Sequence, residues 1–230
     1  MEIIKAKIVR IENHSENIFS LYFKREIFQD FIAGQYVTIY IPEISNGEGK
    51  AYSISSSPLS DYIQITIKKM GLFSNYLSKL SVGDFVNMSL PYGFFYPTYE
   101  YNNIVLIAGG IGITPFKSII QSCCEINKER NISLLYSAKT KQELTFLDDF
   151  RKLSKKIKLD LHFFITQEKI KKEKNFTDSR MSAKKIAETT KNRDQTEFLI
   201  CGSIQFVREI WKELKNSGIP ENQIYTESFF

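Results

Sequence analysis

The sequence predicts two packed domains: a small antiparallel β-barrel or sandwich, then an α/β domain built on a doubly wound parallel sheet. Three observations carry this prediction. The first ~95 residues break into short runs rich in Ile, Val, Phe, Tyr and Thr, several alternating with period two. After residue 103 the apolar runs become continuous and alternate with helical patterns of period 3.6. The first continuous run ends in a glycine-rich turn, Gly109-Gly110-Ile111-Gly112-Ile113-Thr114-Pro115.

Taken in order, strands are expected at 3–11, 17–24, 35–41, 50–55, 62–68 and 85–90, with Ile63, Ile65 and Ile67 giving the alternation of a half-buried strand. Asn46-Gly47-Glu48-Gly49 is a turn cluster, and 72–80 is the one helical stretch of this half. Six short strands at this spacing fit a small antiparallel barrel or sandwich. The joint falls near 97–103, which divides the chain into 1–98 and 99–230. Buried strands then follow at 104–108, 132–137, 159–165, 197–201 and 223–227, with helices at 115–127, 143–154, 181–191 and 204–216. In the last helix Ile204, Val207, Ile210, Trp211 and Leu214 share one face, and Gly218 is the stop signal. The charged stretch 169–174 is expected to be a loop.

Composition narrows the function classes. The chain has 230 residues, 43% hydrophobic and 25% charged, enough for a real core. No run approaches the ~18 apolar residues of a membrane span, and no signal-peptide pattern opens the sequence. Cys123, Cys124 and Cys201 cannot all pair and show no metal-type spacing, so a cytoplasmic protein with reduced thiols and no metal site is expected. The net charge is +5, and the basic excess lies beyond residue 100, which suits an anionic ligand or an acidic partner. No basic helix with interleaved aromatics points to nucleic acid.

The 109–115 turn carries the first chemical signal. Glycines allow close backbone approach, Thr114 is a candidate N-cap and Pro115 suits the first helical position. A helix leaving such a turn aims free N–H groups and a positive dipole end at a phosphate. The spacing is not the ordinary G-x-G-x-x-G fingerprint.

Read together, four ordered motifs resemble the plant-type ferredoxin–NADP reductase superfamily. They are Lys50-Ala51-Tyr52-Ser53-Ile54-Ser55-Ser56, the 109–115 turn, Cys201-Gly202-Ser203 and Glu227-Ser228-Phe229-Phe230. The resemblance covers essentially the whole chain. It implies a flavin-binding barrel over 1–98, an NAD(P)-binding domain over 99–230, and non-covalent FAD, with FMN the less frequent alternative.

Position by position, the resemblance implies that Tyr52 stacks on the flavin ring and that Ser53 hydrogen-bonds near its hydride-accepting nitrogen. Lys50 replaces the family's usual Arg opposite the pyrophosphate, keeping the charge but losing the bidentate fork. Ala51 lies between Lys50 and Tyr52, and Gly71, Leu72, Phe73 and Ser74 form a second pyrophosphate loop. Gly110, Gly112 and Thr114 would hold the pyrophosphate of NAD(P)H. Cys201 would help position the nicotinamide, Glu227 would handle a proton or orient the nicotinamide, and Phe229 has the spacing of a ring that covers the flavin, with Phe230 extending beyond it. Lys139 and Arg180 match basic positions for a 2′-phosphate, whereas Gln167 stands where NADP-specific relatives often carry Arg, so the balance favours NADPH. The implied activity is an NAD(P)H-dependent reductase that delivers electrons to a ferredoxin or flavodoxin. A flavin reductase or oxygenase-reductase component is the alternative, and a non-catalytic nucleotide-binding subunit is a third.

Overall fold

A computed structural model describes residues 2–28, 30–45, 47–98, 100–126, 130–171, 173–190 and 195–229. Its first half is one six-stranded antiparallel sheet. The strands are β1 (Ile3–Ser15), β2 (Ile18–Lys24), β3 (Tyr36–Tyr40), β4 (Gly49–Ser53), β5 (Tyr62–Lys68) and β6 (Phe85–Ser89), in the order β4-β3-β6-β1-β2-β5. An antiparallel bridge between Ile54 and Ile65 joins the two edges and closes the sheet on itself. Closure removes the exposed edges that would otherwise invite association.

Alternation decides what fills this barrel. Phe19, Leu21 and Phe23 of β2 join Ile63, Ile65 and Ile67 of β5 in a core with Ile8, Val37, Ile39 and Met88. The intervening Ser20, Tyr22, Gln64 and Thr66 point outward yet are also buried, because the second half of the chain covers that face.

The second half is a six-stranded parallel sheet: β7 (Asn103–Gly109), β8 (Asn131–Ala138), β9 (Leu159–Ile165), β10 (Phe176–Thr177), β11 (Thr196–Ser203) and β12 (Ile224–Phe229). The strand order is β10-β9-β8-β7-β11-β12. Of its helices, α3 (Thr114–Glu125) and α4 (Leu147–Leu153) share one apolar cluster with the sheet, through Phe116, Ile120 and Phe150. The other face is covered by α5 (Ala183–Thr189) and α6 (Ile204–Asn216), through Ile186, Val207, Ile210 and Leu214. Apolar side chains on both faces are what continuous strand runs require.

Two short helices, α1 (Pro42–Ser45) and α2 (Leu72–Leu77), lie in the barrel half. The first was not expected, nor was the two-residue β10. The helix predicted over 143–154 begins only at Leu147, because residues 141–143 form a 3-10 turn and Phe146 adopts φ 67° ahead of it. Thr114 is the first helical residue rather than the cap, its hydroxyl donating to the Ile111 carbonyl at 3.1 Å. Ile204, assigned to the buried stripe of α6, is 46% exposed, since it opens the helix beyond the reach of the sheet. Asn46, Asn127, Lys172 and Lys191, which fall within predicted elements, lie outside the described residues.

The two halves meet through polar contacts on α3. Ser118 Oγ donates to the Ser56 carbonyl at 2.6 Å, and Lys117 Nζ donates to Gln64 Oε1 at 3.4 Å. Lys68 and Glu143 add an ion pair at 3.4 Å across the same boundary. Among the described residues no helix is long and apolar enough to cross a membrane.

Candidate active site between barrel and parallel sheet

The order of the parallel sheet locates a crevice before any side chain is considered. From β7 the chain adds β8 and β9 on one side, then returns to place β11 and β12 on the other. Ligands of open α/β sheets bind outside the carboxyl ends of the strands at such a switch point. The turn after β7 and the Cys201-Gly202-Ser203 end of β11 lie there together, with Cys201 in register with Ala108 on one side and Glu227 on the other.

Residues 110–113 form a 3-10 turn leading into α3. Gly110 has φ +56°, a backbone region that side chains rarely adopt. Gly112 is required by space instead: a Cβ there would stand 2.2 Å from the Cys201 carbonyl oxygen. The turn is thereby pressed against the end of β11.

On the barrel side a cavity of about 600 Å³ opens beside β4, β5 and α2 and reaches across to the parallel sheet. Ten of the sixteen residues expected at a site line it: Lys50, Ala51, Tyr52, Ser53, Gly71, Leu72, Phe73, Ser74, Thr114 and Phe229. The register Tyr36–Ser53 and Val37–Tyr52 between β3 and β4 sets how Tyr52 and Ser53 are presented. Tyr52 is half-buried, with its ring 6.3 Å from that of Phe73 at 30°, and burial pushes its hydroxyl above the ordinary tyrosine range. Ser74 Oγ accepts from the backbone N–H of Met70 at 2.8 Å and of Gly71 at 3.2 Å, so its hydroxyl closes the turn that opens α2.

The other six residues do not line this cavity. Gly110, Gly112, Cys201 and Glu227 lie at the switch point, while Lys139 and Arg180 are exposed beyond the ends of β8 and β10. Cys201 is fully buried, and burial first, then the charge of Glu227, pushes its thiol well above the usual range. It is a neutral thiol and no nucleophile. Phe230 lies outside the described residues.

The sharpest electrostatic feature is Ser53 with Glu227. The Ser53 hydroxyl is buried without a hydrogen-bond partner, and so is Oε2 of Glu227. Burial raises the Glu227 carboxyl to about 7, opposed by the nearby Ser53 hydroxyl, although neither oxygen completes a bond of ordinary geometry. Buried polar groups left open in this way mark places where something else completes them. Sequence reasoning missed Thr66, Lys68, Met70 and Ile111 in the lining. The alternation of β5 was the available signal for Thr66 and Lys68, two positions apart on its outward face, although Ile67 between them also reaches the lining.

Comparison with known proteins identifies this architecture. The oxidoreductase FAD-binding domain model matches residues 5–96, and the oxidoreductase NAD-binding domain model matches residues 106–212. The chain belongs to an FAD- and NAD(P)-binding oxidoreductase superfamily. Within that superfamily it is 32% identical to flavohemoprotein A of Dictyostelium discoideum over 236 residues, covering 94% of this chain and 57% of the relative. It is 29% identical to the flavohemoprotein of Bacillus subtilis, covering 96% and 58%. The chain therefore spans less than three-fifths of the length of these relatives. The same fold is seen in the FAD/NAD-binding domain of nitric oxide dioxygenase from Vibrio cholerae, with TM-score 0.86, 24% identity and 98% of each chain covered. A ferredoxin–NADP+ reductase from Neisseria gonorrhoeae with bound FAD and NADP matches over 100% of both chains, with TM-score 0.86 and 22% identity.

Proposed function

We propose that the chain is an NAD(P)H-dependent reductase that holds FAD on the barrel and passes electrons from it to a separate redox centre. The observation that carries this reading is the cavity itself. It places an aromatic face, Tyr52, and an unpartnered buried hydroxyl, Ser53, opposite Thr114 and Phe229 of the nucleotide domain. A flat, polar-edged ring system fits those residues, because stacking uses the tyrosine and a ring nitrogen would satisfy the serine. The flavin would supply the chemistry when bound, taking up the two electrons of one hydride and releasing them one or two at a time.

The protein's own part is geometric. Tyr52 and Phe229 would frame the ring, Lys50 with the stretch Gly71 to Ser74 would face the flavin pyrophosphate, and Ala51 leaves room beside them. Gly110, Gly112 and Thr114 would hold the nucleotide pyrophosphate at the start of α3. Cys201, a neutral thiol, would bear on the nicotinamide by contact, and Glu227 would exchange a proton near the same spot. Lys139 and Arg180, both exposed and without an ion-pair partner among the described residues, would receive a 2′-phosphate, which favours NADPH over NADH.

Ferredoxin or flavodoxin is the first acceptor to test. The relatives named flavohemoproteins add a second reading, in which the acceptor is a haem. Free flavin or an oxygenase component would use the same site. The deciding experiment is the visible spectrum of the purified protein before and after anaerobic NADPH. A bound flavin that bleaches is expected, and faster with NADPH than with NADH. A protein that takes up no added flavin would sink the reading.

A further inference from the structure

A second cavity, of about 330 Å³, lies further along the same outward face of β5, between the barrel and helices α3 and α4. His14 lines it, and two side-chain hydrogen bonds run from His14 to Thr66 at the first cavity, with a third joining Thr66 to Ser55. His14 Nε2 to Ser20 Oγ is 2.7 Å, Ser20 Oγ to Thr66 Oγ1 is 2.8 Å, and Thr66 Oγ1 to Ser55 Oγ is 2.8 Å. Ser20, Thr66 and Ser55 are buried, and Thr66 lines the first cavity. The row follows strand pairing, since Ser20 lies opposite both Glu12 of β1 and Thr66 of β5.

Counting hydrogens fixes the direction of the row. Ser55 Oγ donates its one hydrogen to the Gln64 carbonyl at 3.0 Å, so Thr66 must donate to Ser55. Ser20 must then donate to Thr66. Ser20 already accepts from Gln64 Nε2 at 3.0 Å, and its remaining lone pair accepts from His14 Nε2–H. His14 Nδ1 is left facing Glu12 at 3.9 Å. The His14 and Ser20 hydrogens thus point from the outer cleft toward Thr66 at the first cavity, while Thr66 points its own hydrogen at Ser55 and keeps one free lone pair.

We propose that His14, Ser20 and Thr66 form a proton path that delivers to the flavin cavity the proton accompanying each hydride. The inference rests on the flavin reading above. Hydride from NAD(P)H gives NAD(P)+ and the anionic reduced flavin, and one proton from water converts that anion to the neutral, two-proton form, so on this path one proton enters with each reduction and leaves again when the flavin is reoxidised. A proton arriving at His14 Nδ1 from the cleft allows Nε2–H to pass to Ser20. The Ser20 hydrogen passes to Thr66, whose own hydrogen turns from Ser55 into the cavity. The groups facing His14 are Glu12 and Arg10 on β1, Tyr22 on β2, Lys117 on α3 and Asp149 on α4, with the Phe146 ring 5.2 Å away. Burial is the largest effect on the imidazole and keeps it neutral at rest, against the pull of Glu12 and Asp149.

The test follows flavin bleaching and proton uptake together, the latter by a pH-indicator dye in weakly buffered solution during anaerobic reduction by NADPH. In the unsubstituted protein uptake is expected to keep pace with bleaching. In His14→Phe, which retains a ring against Phe146, bleaching is expected to keep its rate while uptake lags by about tenfold or more. Ser20→Ala is expected to show the same lag. Uptake that stays in step in both variants, or no uptake in the unsubstituted protein, overturns the path but leaves the reductase reading intact. A chain that binds no flavin overturns both. Should a variant fail to fold, nitrogen-15 shifts of His14 in the unsubstituted, flavin-free protein decide. A proton on Nε2 is expected, and one confined to Nδ1 reverses the row and overturns the path.

Discussion

Glu227 concentrates the electrostatics of the switch point in one side chain. Its carboxyl is raised from 4.5 to about 7, chiefly by burial. A carboxyl whose folded value is raised contributes most below its unfolded value, where both states hold the proton. That contribution is lost as pH climbs through the folded value. The flavin-free protein should therefore lose stability between about pH 4.5 and 7 from this residue, by on the order of 3 kcal/mol at most. Glu227→Gln, which cannot ionise, should match the parent near pH 5 and exceed it near pH 8. Thermal melts of both proteins across that range check it, and a difference that stays constant with pH would mean Glu227 is ionised throughout. Much of the neighbourhood was legible at this scale: Tyr52, Ser53, Cys201 and Glu227 follow from motifs in the sequence. The register that sets Cys201 beside Glu227 was not, because it depends on β11 and β12 pairing across helix α6.

Elements were legible in proportion to how local their causes are. Strand β5 and helix α6 match their predicted spans, 62–68 and 204–216, because alternation and helical periodicity are properties of the segment alone. The start of α4 was misjudged because Phe146 takes a left-handed conformation while its ring packs against Phe150 and His14, contacts made through the tertiary fold. Burial along α6 separates pattern from packing. Leu214 is 2% exposed in the cluster under the sheet, whereas Ile204 at the first position is 46% exposed. Leu214→Ala should cost about 2–5 kcal/mol through lost burial and the cavity left behind. Ile204→Ser should fall within about 0.5 kcal/mol of the parent. Urea midpoints of the two variants measure this directly, and equal losses would mean the helix packs through its first turn as well.

At the scale of the molecule, barrel and parallel sheet are joined by a boundary that is polar where α3 lies on it. Ser118 to Ser56, Lys117 to Gln64 and Lys68 to Glu143 are directional contacts, each satisfied across the joint. Such contacts set orientation well but add little net free energy, about 1 kcal/mol apiece, because water would otherwise satisfy the same groups. The large cavity lies along the same joint, lined from the barrel by Tyr52 and Ser53 and from the second half by Ile111, Thr114 and Phe229. A ligand filling it touches both halves and binds the folded chain alone, so its whole affinity adds to stability. FAD at a hundredfold excess over its dissociation constant should raise stability by about 2.7 kcal/mol. Differential scanning calorimetry with and without FAD should then show one cooperative transition moving upward as a whole. If FAD instead split the melt into two transitions, or shifted only part of it, the cofactor would be held by the barrel alone. Tyr52 and Ser53 would then bind without help from Thr114 and Phe229, and the joint would be a hinge rather than a wall of the site.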